Sequence, residues 1–302
     1  MAKAGRPRRG SLQFSPRKRA KSLNSRVRNW PHGEGLQGFV GYKVGMLSAF
    51  VNTDNAQSPM TGKDIVKPVT LIEVPPMILK SIRTYKKTHY GAKIITETSD
   101  AKSIDAGKVD FARLMFQTQP SKAGHPAKMP NSVEVAFGKD LAEIIGFASK
   151  NIGKEVKFSD FFESSQMLDV TGVTRGRGFQ GTVKRFGVKL LPSKAEKSRR
   201  KVGSLGPWTP KRTPWQVPMA GQTGYHTRTE HNKQVLHIGE GLNPKSGWHR
   251  YGVIKSDCVI VLGTVQGPQK RQLKLRKAIR SPKGDSRYSI QKLIIDGEAK
   301  KL

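Results

Sequence analysis

Apolar positions along this chain recur in short runs, alternating or continuous, at the two-residue period of half-buried strands. The clearest are Leu36 to Val51 (LQGFVGYKVGMLSAFV), Val66 to Val74 (VKPVTLIEV), Lys93 to Thr98, Gln166 to Val173, Gln234 to Gly239 and Cys258 to Val265 (CVIVLGTV). Gly, Pro, Asn and Asp punctuate the gaps, and short strands at such intervals predict an antiparallel barrel rather than alternating βαβ units. Val109 to Phe162 departs from the pattern. In EVAFGKDLAEIIGFASKNIG, Val135, Leu141, Ile144, Ile145 and Ile152 fall near helical spacing, and Ser159 with Asp160 before FFE can start a short helix. This stretch predicts a mainly helical insertion, so the fold class expected is mainly β with an α insertion. Near the C-terminus, Lys270, Arg271, Lys274, Arg276, Lys277 and Arg280 alternate with Leu273, Leu275 and Ile279, which predicts a strand with one buried face and one face toward phosphate.

Charge changes the picture. The 302 residues, enough for one domain with long insertions or two modest ones, carry 55 Lys and Arg against 22 Asp and Glu, a formal net charge of +33. So much positive charge repels itself in a compact state unless a polyanion answers it, and phosphate backbone, whose neutralisation releases condensed counterions, is the strongest candidate. From Phe50 to Val170 the count is nearly balanced, 16 basic to 14 acidic, which leaves 39 basic and 8 acidic residues elsewhere. The first acidic residue, Glu34, comes after Lys3, Arg6, Arg8, Arg9, Arg17, Lys18, Arg19, Lys21, Arg26 and Arg28. This opening stretch has almost no periodic apolar pattern and is expected to be disordered without its partner.

Between Thr171 and Thr229 lies a second basic segment: Arg175, Arg177, Lys184, Arg185, Lys189, Lys194, Lys197, Arg199, Arg200, Lys201, Lys211, Arg212 and Arg228 are opposed only by Glu196. It is rich in glycine and carries Pro192, Pro207, Pro210, Pro214 and Pro218, so neither a continuous helix nor a central strand fits it. It reads as an excursion from the body. Two arms of about 25 residues at roughly 3.3 Å each would place its tip on the order of 80 Å along the path. Trp208, Trp215 and Tyr225 sit among Lys211, Arg212, His226 and Arg228. Rings beside cations suit unstacked bases and irregular RNA more than smooth duplex DNA. Trp215, between two Thr/Pro and Val/Pro flanks, is expected at the exposed tip, whereas Trp208 could as well anchor the loop on the protein.

Catalytic and cofactor signals are weak. Gly176-Arg177-Gly178-Phe179-Gln180-Gly181 matches G-x-G-x-x-G, but no clean amphipathic helix follows, and the position about twenty residues on is Lys197 to Lys201 instead of a carboxylate. The glycines are better read as clearing space for backbone amides, Arg175 and Arg177 to approach phosphate, with Phe179 stacking on a base. Seven histidines and the single Cys258 offer no metal-ligand spacing, and Cys258, within CVIVL, is expected to be a small buried hydrophobe without a disulfide. His226 and His231 near Thr227, Thr229 and Glu230 lack anything that activates a hydroxyl. No cofactor, metal or small-molecule substrate is expected. No run approaches the roughly 18 apolar residues of a membrane span, and the opening residues lack an apolar signal core, so a soluble, cytoplasmic protein without membrane partner is expected. An RNA-modifying enzyme and a chromatin-type DNA-binding protein remain the rival readings.

PRRGSLQFSPRKRA, VTRGRGFQGTVKRFGVK, KSRRKVGSLGPWTPKRTPWQVPMAGQTGYHTRTEHN and VLGTVQGPQKRQLKLRKA together resemble the universally distributed third protein of the large ribosomal subunit, over nearly the whole chain. GYHTRTEHN and the absence of a long tail look like the archaeal type. The resemblance implies a translation-protein-like β-barrel body and no enzymatic activity. It implies binding to large-subunit rRNA early in assembly, neighbouring ribosomal proteins as partners, and a long loop sent toward the peptidyl-transferase centre with Trp215 at its apex. Gln222 occupies a glycine-glutamine position methylated in bacterial members, though its surroundings here depart from theirs. The organisation expected is a basic N-terminal extension over 1–34, a body over 35–174 and 230–302 with its insertion at about 100–165, and a basic loop over 175–229. The rRNA-binding residues expected are Arg6, Arg8, Arg9, Arg17, Lys18, Arg19, Arg26 and Arg28 in the extension. In the loop they are Arg175, Arg177, Gly178, Phe179, Gln180, Lys184, Arg185, Lys197, Arg199, Arg200, Lys201, Trp208, Lys211, Arg212, Trp215, Gln222, Tyr225, His226 and Arg228.

Overall fold

The computed structural model describes residues 9–53, 55, 57–100, 103–104, 106–138, 140–209, 211–280 and 287–301. Lys3, Arg6, Arg8 and Pro210 lie outside the described residues. The strands are β1 (Gly38–Thr53), β2 (Ile65–Glu73), β3 (Met77–Thr88), β4 (Gly91–Thr98), β5 (Phe111–Thr118), β6 (Ser132–Val135), β7 (Glu155–Val156) and β8 (Met167–Val173). They continue with β9 (Phe179–Gln180), β10 (Gly221–Gln222), β11 (Thr227–Gly239), β12 (Cys258–Leu262), β13 (Gln272–Lys277), β14 (Tyr288–Ile295) and β15 (Glu298–Lys301). The α-helices are α1 (Leu141–Asn151) and α2 (Thr182–Phe186). The chain divides into a barrel unit, Leu23–Gly172 with Arg228–Leu302, and a loop unit, Met1–Ser22 with Val173–Thr227.

Within the barrel unit, strands run in the order β13, β8, β11, β12, β2, β1, and β1 pairs again with β13, closing a six-stranded barrel. Closure is possible because β1 is 16 residues long: Gly38 to Tyr42 pairs with Arg276 to Gln272, while Tyr42 to Val51 runs along β2 and Ser48 to Thr53 along β14. Period-2 alternation then sorts the side chains of β13 and β8. Leu273, Leu275, Leu168 and Val170 enter one apolar cluster with Phe39, Ile72, Val235, Val259 and Val261. Gln272, Lys274, Arg276, Asp169 and Thr171 share the opposite parity and are also buried. The expected phosphate-facing side of β13 is therefore covered, which corrects the sequence reading. Residues 23–30 lie against this face: Ser25 and Val27 are buried, Arg276 Nη1 donates to the Asn29 carbonyl (2.5 Å), and the Trp30 ring occupies the space a Cβ on Gly38 would need. Burial pushes the Lys274 ammonium down to about 8.

A second sheet, β4-β3-β5-β6 with β7 on β3, draws three of its strands, β5, β6 and β7, from the stretch expected to be helical. Among the described residues of that stretch the α-helix is α1, which buries Ile144 and Ala148. FARLMFQT and SVEV, read loosely as helix, alternate in strand register and pair Leu114 with Val135 and Phe116 with Val133. No helix starts at Ser159. Phe161 and Phe162 amides both donate to the Phe158 carbonyl in a tight turn that stacks Phe158 on Phe162 (4.4 Å) and sets both edge-on to Phe39. Buried aromatic contact decides the local backbone there. Cys258 is buried, its thiol pushed up to about 12 by burial and donating to the Gly239 carbonyl.

Candidate RNA interface

The loop unit is organised by an antiparallel ladder between residues 174–180 and 221–226. Thr174 donates to the His226 carbonyl, Arg177 to Thr223, Thr223 to Gly178 and Tyr225 to Arg175, and β9 pairs with β10 beyond them. The Arg177 amide is thus occupied by the ladder and is not a free phosphate donor, whatever its side chain does. Gly224 is demanded by geometry: at φ +73° a Cβ would sit 2.1 Å from the Arg175 carbonyl oxygen. Arg175, Arg177 and Phe179 fall at i, i+2 and i+4 and are exposed, Phe179 by 77%. Gly178, at φ +68°, has open space where a side chain would go.

Residues 17–20 add an outer strand of contacts. Ala20 donates to the Tyr225 carbonyl (2.8 Å), and His226 Nδ1 lies 2.9 Å from the Lys18 carbonyl. Since a carbonyl only accepts, Nδ1 is the donor in this contact. Arg185 is directed inward: it donates to the carbonyls of Gln222 (3.1 Å), Met219 (2.8 Å) and Arg17 (3.4 Å), while Arg17 returns a bond to the Arg185 carbonyl and lies 4.2 Å over the Phe186 ring. Burial, with the neighbouring Arg17 charge, lowers the Arg185 pKa from its ordinary value. Arg185 therefore ties the unit together, and Gln222 likewise spends its amide on the carbonyls of Thr223 and Gly224. Gln180 donates to the Arg177 carbonyl.

The remaining expected cations of this unit are solvent-accessible, and two of them also donate within it, Arg199 to the Leu191 carbonyl (3.3 Å) and Lys201 to the Glu196 carbonyl (2.9 Å). Arg9, Lys18, Arg19, Lys184, Lys197, Arg199, Arg200, Lys201, Lys211 and Arg212 are exposed, as are Trp208 (87%) and Trp215 (67%). Trp208 does not anchor the loop. α2, after the G-x-G-x-x-G match, is five residues long and stops at Gly187 in the left-handed conformation, too short to present a dinucleotide site. Arg200, Lys201 and Leu205 line an open cleft of about 700 Å³ with Thr182 and Met219.

A separate basic pocket lies in the barrel unit, about 300 Å³, lined by Arg26, Arg28, Thr171, Thr229, His231 and Arg276. Asp169 organises it. Its fully buried carboxylate accepts from Arg276 Nη2 (2.8 Å), His231 Nδ1 (2.9 Å) and the Asn232 amide (3.0 Å). Burial alone would raise this carboxyl, but the Asn232 amide, Arg276 and His231 outweigh it and hold it below the ordinary aspartate range. Thr171 and Thr229 hydroxyls meet at 3.0 Å, and Arg228 contributes its carbonyl to Gln266. Arg26 and Arg28 were expected from sequence. Arg276, on a strand read as facing phosphate, and His231, read as a phosphate binder or hydrogen-bond donor, were anticipated singly; Thr171 and Thr229 were missed, because β8 and β11, distant in sequence, bring them together, and the signal present was the polar alternation Asp169-Thr171 and Thr229-His231. Among the described residues, no group of three His, Cys, Asp or Glu is placed to hold a metal ion.

The sequence model of the family described as Ribosomal protein L3 matches residues 1–111 and 98–300. The chain is 42% identical to the Large ribosomal subunit protein uL3 of Methanopyrus kandleri, over 92% of this chain and 87% of that one. It is 43% identical to the protein of the same name in Archaeoglobus fulgidus, covering 92% and 93%, and 40% identical to that of Methanocaldococcus jannaschii, covering 91% and 92%. These relatives are ribosomal proteins and not enzymes, and they span both the barrel and the loop units. The chain belongs to the ribosomal protein L3 family of the large ribosomal subunit.

Proposed function

We propose that this protein is an architectural component of the large subunit that binds its rRNA through the N-terminal extension (1–34) and the basic loop (175–229), with the barrel body (35–174 and 230–302) as the platform. One observation carries the reading. Met1–Ser22 and Val173–Thr227 hold 20 Lys and Arg against Glu196 alone, a ratio that only a polyphosphate partner offsets. The exposed cations named above contact phosphate, and Phe179, Trp208 and Trp215 offer faces to unstacked bases. Arg17, Arg185, Gln180, Gln222 and Tyr225 act by shaping the loop. The Arg26, Arg28 and His231 pocket takes a further backbone phosphate. By the family resemblance the protein nucleates early assembly and directs the loop toward the peptidyl-transferase centre, with neighbouring ribosomal proteins around the body.

The test is competition. The full chain is titrated with large-subunit rRNA at physiological salt in the presence of excess duplex DNA. Retention of the rRNA complex is expected. Displacement by that DNA would favour a general polyanion binder instead.

A further inference from the structure

The outer end of the β3–β4 hairpin contributes to neither apolar core. All twelve residues from Lys86 to Glu97 are exposed, and Tyr90, at the turn, is 99% exposed, its ring edge-on to that of His89 at 6.0 Å. A two-stranded ribbon without a buried face does little to stabilise itself. Its register adds a further strain. Lys86 lies directly opposite Lys93, and Lys87 opposite Ala92. Directly opposed residues share a face, and like charges so placed destabilise the pair unless an anion lies between them. Among the described residues none of Lys86, Lys87 and Lys93 has an ion-pair partner. The nearby carboxylates are engaged otherwise: Glu97 accepts from Arg83 (2.7 Å) and Ser81 (2.9 Å), and Asp110 from the Lys87 amide.

We propose that this hairpin is a further RNA-contacting element, in which Lys86 and Lys93 straddle a backbone phosphate, Lys87 contacts a neighbouring one, and Tyr90 stacks on an unpaired base. The inference rests on the rRNA-binding function proposed above. RNA is favoured over an acidic protein because a fully exposed ring beside three unanswered cations matches the alternation of phosphate and base along a single strand.

The test uses the full chain with Lys86→Ala, Lys87→Ala and Lys93→Ala combined, and separately Tyr90→Ala. Both should keep the wild-type melting temperature, since the replaced side chains are exposed. The triple variant should flatten the slope of log K against log salt for large-subunit rRNA by about 2 to 3, and Tyr90→Ala should weaken binding by about tenfold. Wild-type slope and affinity in both variants, with rRNA still bound by the parent, would overturn the hairpin site and leave the function standing. A parent that fails to bind rRNA would overturn both. Ultraviolet crosslinking of assembled subunits supplies the third readout: a nucleotide on Tyr90 supports the proposal, and a protein there refutes it in favour of protein docking.

Discussion

In the barrel unit, 35 of the 55 Lys and Arg stand against 21 of the 22 Asp and Glu, and several charged groups are buried with partners. Arg276 meets Asp169, and Lys43 donates to the carbonyls of Val265 and Gly267. Glu73, fully buried, accepts from Tyr251 and from the amides of Gly124, Lys255 and Ser256. The loop unit inverts this. Its order comes from a backbone ladder, glycines in the left-handed region and two inward guanidiniums, Arg185 and Arg17, while its other cations are mostly left in solvent. The same residue types thus hold one region together and leave the other open to a polyanion. Burial and pairing, more than the count of positive charges, separate the two roles.

The sharpest way to break that comparison is to remove a charge from each side. Asp169→Ala should destabilise the chain by about 3 to 5 kcal/mol, because it strands the buried Arg276 guanidinium. Urea unfolding reads this, and a loss below 1 kcal/mol would mean that the pair is not structurally important. Acid gives a milder version. The Asp169 carboxyl is held below its ordinary value, so its contribution is complete above the unfolded aspartate range of about 3.9 and is lost as pH falls through the folded value. Asp169→Asn should accordingly flatten the acid limb of the stability curve.

Lys274 should act with the opposite sign. Its folded value near 8 lies below the unfolded one, so stability is depressed below pH 8 and rises between pH 8 and about 10.4. Lys274→Met should therefore stabilise the free protein at neutral pH by about 1 to 3 kcal/mol, with a raised melting temperature as the readout. The smallest effect on stability is expected in the loop. Trp215→Ala should change the unfolding free energy by less than about 0.5 kcal/mol while weakening rRNA binding by about 1 to 3 kcal/mol. A large fall in melting temperature would make Trp215 a core residue.

Much of the barrel is legible in sequence because a half-buried strand writes its burial as alternation: the runs at 36–51, 66–74, 166–173 and 258–265 fall on β1, β2, β8 and β12. β3, MILKSIRTYKKT, was missed, since a register shift between Leu79 and Ser81 breaks its alternation, burying Met77 and Leu79 on one parity and Ile82 on the other. The buried basic face of β13 could not be read locally either, because its cover, residues 23–30, is some 250 positions away in the chain. In the loop, composition marked the cations, but only the fold separates Arg185, bound to three carbonyls, from Arg175 and Arg200, which are exposed.

The salt dependence of rRNA binding, compared between the parent and a variant with Arg175, Arg177, Arg199, Arg200 and Lys201 all replaced by Ala, tests the role of the loop unit most directly. If these side chains sit on phosphates, the slope of log K against log salt should shrink by about 3 to 5 with the melting temperature unchanged. An unaltered slope would mean that the loop's cations do not meet the RNA, and would contradict the division of labour drawn between the two units.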